Sequence, residues 1–282
     1  MTTTLPPSLA EAALRFEHAA GDIIDTYEAR RPAQTNQVTP GQLAEAIEQF
    51  LVIIARIDRE EGEVGPITKE DATQLGDYGV TLLTDLIAWA GQLNMPVPRT
   101  DLEIVILAAA DWIMRHDGQI RALDPVVNAL ANFSNRMHDP ASLEPITHFM
   151  GRVIQASANL IKQDLEKNNP GRPWRVLHLN RGIVATRTHN PELMEKVFED
   201  LVRYLPEDAA AFFAEGMQQM EALNYPQPVR QVMGRFSTSG HGPGCIREAL
   251  KKSTVGPELV EGRAGNALKS ELPGLPARPC RF

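Results

Sequence analysis

Seven histidines, scattered carboxylate pairs and one short basic stretch are the side chains of this sequence that could do chemistry. The histidines are His18, His116, His138, His148, His178, His189 and His241. None stands four residues from another, the step that sets two imidazoles on one helical face around a metal. There is no Gly-Lys-Ser/Thr phosphate loop, no His-Glu-x-x-His, no calcium loop and no Gly-x-Ser-x-Gly elbow. The only cysteines are Cys245 and Cys280, so residues 1–236 hold no thiolate nucleophile, disulfide or cysteine-based metal site. No catalytic residue, metal or cofactor is expected.

Two places keep some polar density. Asp111, His116 and Asp117 follow one another closely, and their convergence would make an acid–base or small-ligand site. The alternative is a helix C-terminus, where the dipole favours histidine. The runs Asp58-Arg59-Glu60-Glu61 and Glu199-Asp200 have no partner at a catalytic spacing and read as solvated faces. The second place is the stretch 172–189. Projected as one helix, it puts Arg175, His178, Arg181 and His189 on one stripe, beside Gly182 and Ala185. Asn180 and Arg187 fall opposite, between Val176 and Ile183. A helix so marked would line a groove for an acidic peptide, a carboxylate or a phosphate. Alternatively its cations pair with Glu192, Glu195 or Glu199 of the next segment.

The charge around that stripe is negative. The chain carries −8 overall; residues 237–282 hold seven Lys/Arg against four Asp/Glu, which leaves −11 on residues 1–236. Phosphate backbones and anionic membranes are held by clustered cations, so neither is an expected partner. The start of the sequence lacks a basic region followed by an apolar core, and the longest apolar run, Ile104 to Ala110, is far short of the ~20 residues that cross a bilayer. A cytoplasmic location is expected.

The elements that must position these residues are helices. Apolar residues recur at three- and four-residue steps between punctuating prolines. Capping boxes open at Ser8, Thr39 and Thr100, Thr68 precedes an acidic first turn, and Asp124-Pro125 and Asn190-Pro191 each place an acceptor before a proline. The pattern predicts helices over 9–30, 40–60, 69–93 and 101–116, the last apolar almost all round and therefore central. Two more follow between 124 and 168, the second reaching Leu165. Past the break at Asn168–Pro173, four shorter segments form two hairpins up to Phe236. The expectation is an all-α chain of about ten helices: a bundle over 8–168, two hairpins over 172–236, with separate cores or one shared, and a tail over 237–282. Seven Gly and five Pro in that tail predict disorder.

Gly182 and Gly216 lie 34 residues apart, as do Phe198 and Val232, and Pro206 closes the first unit. On these residues the segment 175–236 resembles tetratricopeptide-type helical hairpin repeats. His178 stands where that family usually has Trp, and Met194 where it has a small residue. The resemblance implies a protein- or peptide-binding surface without chemistry, facing its groove with Val176, Leu179, Ile183, Thr186 and Arg187. Thr254–Arg263 resembles the translated form of an interspersed repeat common in bacterial genomes, which implies a tail without selected function. The expected function is a non-enzymatic interaction or scaffold protein that binds a partner or acidic peptide, with Arg175, His178, Arg181, Arg187 and His189 as candidate binding residues. The alternative is an all-helical enzyme or small-ligand binder near Asp111, His116 and the Arg175–Arg187 helix.

Overall fold

A computed structural model describes residues 5–30, 38–64, 67–163, 169 and 171–238. Among them are eleven helices and no strand: α1 (Leu9–Arg30), α2 (Pro40–Val64), α3 (Lys69–Gln92), α4 (Pro96–Arg115), α5 (Leu123–Asn135), α6 (Pro140–Ala156), α7 (Asn159–Lys162), α8 (Pro173–Arg187), α9 (Pro191–Tyr204), α10 (Pro206–Ala222) and α11 (Gln227–Thr238). The expectations about residues 239–282, including both cysteines and His241, lie outside the described residues, as does Leu165.

Side-chain caps explain several of the starts. Thr39 and Gln42 cap each other reciprocally, the Thr39 amide donating to Gln42 Oε1 (3.1 Å) and the Gln42 amide to Thr39 Oγ1 (3.4 Å). Thr68 accepts from the Asp71 amide, Asn190 from that of Leu193, and Ser8 from that of Glu11. Two expected starts are corrected. Thr100 does not open α4, because the helix begins at Pro96. A proline in the first turn removes only an amide that has no intrahelical acceptor, so Pro96 and Pro98 are compatible with helix. Thr100 Oγ1 instead accepts from Arg136 and ties the end of α5 to α4. Asp124 likewise lies inside the first turn of α5, where the dipole favours its charge, and is not the cap.

The long helix expected to reach Leu165 stops at Ala156. There the backbone is drawn into an isolated parallel bridge between Ile120 and Ser157. The Ile120 amide donates to the Ala156 carbonyl (2.8 Å) and the Ala158 amide to the Ile120 carbonyl (2.9 Å). The single turn α7 follows and accounts for the eleventh helix.

Helix α4 is the centre. Every residue from Leu102 to Ile113 is buried, and α1, α3, α5 and α6 pack around it. Helix α8 packs on α5 and α6 and carries α9, which in turn contacts α10 and α11. Buried residues from Ala12 of α1 to Met233 of α11 form one contiguous cluster, so the hairpins share the core of the bundle.

Candidate functional site

The basic residues of α8 do not form one open stripe. The helix ends at Arg187, Thr188 caps it, and His189 turns left-handed at φ 55°. His189 therefore leaves the projection, and its exposed ring meets Tyr225 edge-on at 4.9 Å. Arg175 forks onto Asp208 of α10, Nε at 2.9 Å and Nη2 at 2.8 Å. Arg181 donates to Asp200 of α9 at 2.8 Å and to the Thr147 carbonyl of α6. Arg187 donates to the Met137 carbonyl beyond α5. The cations are paired, but not with Glu192, Glu195 or Glu199. Of the residues that would face a repeat-type groove, Val176, Ile183 and Thr186 are buried.

His178 is 2% exposed, between the rings of Trp174 (4.5 Å) and Tyr204 (5.2 Å), and its Nε2 is buried without a hydrogen-bond partner among the described residues. Burial, then the charge of Arg181, drives its pKa down to about 3. It stays neutral and is closed to ligands.

The Asp111–His116 region makes a different constellation from the expected one. Asp117 stands apart, exposed and paired with Lys69 at 3.1 Å. Asp111 accepts from Arg115 of its own helix (3.0 Å) and from Arg152 of α6 (2.7 Å). Arg115 reaches on to Asp58 of α2 (3.0 Å), and His116 Nε2 contacts the other oxygen of that carboxylate at 2.9 Å. The alternating chain His116–Asp58–Arg115–Asp111–Arg152 thus ties α2, α4 and α6 together. Burial alone would raise the Asp58 carboxyl, but hydrogen bonds and charge from Arg115 and His116 overcome this and hold it below its ordinary value. Asp58 is therefore not part of a solvated face. The His116 side chain is 2% exposed, its ring tilted against that of Trp112 at 4.7 Å.

One more buried acid stands out. Glu103 of α4 accepts from Asn132 (2.8 Å) and Arg99 (3.3 Å), yet burial outweighs these partners and raises its pKa. Neither Glu103 nor His178 lines a described cleft. Among the described residues no group of three His, Cys, Asp or Glu is arranged to hold a metal ion.

A cleft of about 790 Å³ lies elsewhere, between α1 and α2. Its walls are apolar and include Leu14 (63% exposed) and Val52 (59% exposed). The charged residues lining it are Glu17, Glu45 and Glu48. Two smaller hollows, of about 340 and 300 Å³, share Arg152, whose guanidinium also lies 5.0 Å from the Phe149 ring. The sequence held one signal for the large cleft. Phe50 to Ile54 are five apolar residues in a row, more than one helical face can bury, and Val52 and Ile53 are the ones left outside.

No helix among the described residues is long and apolar enough to cross a membrane. Comparison with protein-family models, with curated proteins and with solved structures gives no match.

Proposed function

We propose that the protein is a non-enzymatic interaction module that receives a segment of a partner protein in the α1–α2 cleft. The observation that carries this is a 790 Å³ apolar cleft in which Leu14 and Val52, from two different helices, are both turned to solvent. Contiguous apolar surface of that kind marks an interaction face. The geometry lends no comparable support to the enzymatic alternative, since His116, Asp111 and Glu103 are consumed by internal partners. It lends none to an acidic peptide on α8, whose Arg175 and Arg181 already bind Asp208 and Asp200.

One observation favours keeping the hairpins related to each other. A side chain on Gly182 would strike Phe212 (2.7 Å), and one on Gly216 would strike Met233 (2.6 Å). Each glycine admits a residue from a later helix, which suits a repeated unit. Under this reading the hairpins buttress the bundle.

The test is a photo-crosslinking residue at Val52, with one at exposed Tyr78 as control, in cells of the native host. Adduct at Val52 alone, with the captured protein binding purified wild type and failing to bind Leu14→Asp of unchanged melting midpoint, supports the proposal. No adduct, or equal affinity for both proteins, refutes it.

A further inference from the structure

We infer that the occupant of the α1–α2 cleft is a partner α-helix whose apolar face is bordered by lysine or arginine. This rests on the docking function proposed above and names its partner. Along α1 the cleft runs from Leu9 to Ile24, about 22 Å at 1.5 Å per residue, which matches roughly four turns of a second helix. Among the described residues the rim carries Glu17, Glu45 and Glu48 and no cation, on a body of −11. Basic flanks complement that rim. A second copy of this chain does not, because two acidic rims would face each other.

Gly21 supplies an independent observation. It is exposed in the middle of α1, where glycine is a poor helix former, and a Cβ there would meet nothing within 4 Å. Nothing among the described residues requires its lack of a side chain. Gly21 lines the cleft with Ala10, Ala13, Gly41 and Ala44, all small. Small residues on both walls let another backbone approach closely, as helix crossings at 8–10 Å demand.

The experiment uses the full chain and two synthetic 18-residue amphipathic helices with the same leucine face, one with lysine flanks and one with glutamate flanks. Binding is read by fluorescence anisotropy, folding by thermal midpoint and self-association by sedimentation. The lysine helix should bind wild type at least tenfold tighter than the glutamate helix, and high salt should remove most of that margin. Gly21→Leu should weaken binding at least tenfold with a midpoint no lower than wild type. Glu17→Gln, Glu45→Gln and Glu48→Gln together should abolish the lysine preference. Equal binding of both helices, lost in Gly21→Leu, overturns the basic partner and leaves the docking function standing. Binding of neither helix, or binding indifferent to Gly21→Leu, overturns both. Dimerisation of wild type that Gly21→Leu removes would make the occupant a second copy and overturn the inference.

Discussion

Acid should weaken this protein through one histidine. In the unfolded chain His178 takes a proton near the ordinary imidazole value of 6.5; in the folded protein burial and Arg181 hold it neutral down to about 3. The folded pKa is the lower one, so folding releases the proton. Stability is full above pH 6.5 and falls as pH drops toward 3. Each unit inside that window costs about 1.4 kcal/mol. Between pH 7 and pH 4.5 the loss from this residue alone is therefore roughly 2–3 kcal/mol, a large share of the 5–15 kcal/mol that holds a typical domain together. Carboxylates such as Asp58, held below its ordinary value by Arg115 and His116, also lose stability in acid, so the measurement is a difference. Urea unfolding of wild type and His178→Phe at pH 7, 5.5 and 4.5 isolates the residue. Phenylalanine keeps a ring between Trp174 and Tyr204 and removes the unpartnered Nε2. The wild type should lose about 2–3 kcal/mol more than the variant on going to pH 4.5. His178→Gln, which also does not titrate, should share the flatter profile even if it is less stable at pH 7. Parallel profiles for all three proteins would refute the buried neutral state.

Asp58→Ala leaves His116 Nε2 and one arm of Arg115 without their shared carboxylate, and should cost about 1–3 kcal/mol by urea unfolding at pH 7. A change below about 0.5 kcal/mol would mean that the chain from α2 to α6 contributes no cohesion. Ile106→Asp places a charge where α4 is wholly enclosed and should cost more than about 4 kcal/mol, which circular dichroism melting would show as loss of the cooperative transition.

The helices were legible where backbone groups carry their own local solution. Thr39, Thr68 and Asn190 cap the helices they precede because a hydroxyl or amide oxygen three residues from an orphan N–H is a local arrangement. The central place of α4 was legible as well, since a run of apolar residues on every face has no solvated side. Failures came where a local signal competed with something distant or was compatible with two starts. Pro96 and Pro98 look like a break and serve as a first turn. The end of α6 is set by Ile120, thirty-six residues earlier than Ala156, through a bridge that no periodicity encodes.

The candidate sites separate along the same line. A helical projection finds which cations share a stripe, and it found Arg175 and Arg181. It cannot find that Asp208 and Asp200 come to meet them, because those partners lie across turns in other helices. A cation on an acidic body is therefore weak ground for a ligand: the nearest carboxylate is more often the chain's own, and a paired guanidinium offers little to a second anion. Asp58 shows the converse, a residue with no local spacing to recommend it that becomes the hub for Arg115 and His116 across fifty-seven and fifty-eight positions. What internal pairing cannot satisfy is apolar surface, since a leucine in water has no partner to recruit from its own helix. Leu14 and Val52 lie on different helices and open into one cleft, which Gly21 also lines with open space where a side chain would stand. The proposed docking face is accordingly the apolar, acid-rimmed cleft of α1 and α2, where no internal partner covers Leu14 and Val52 among the described residues.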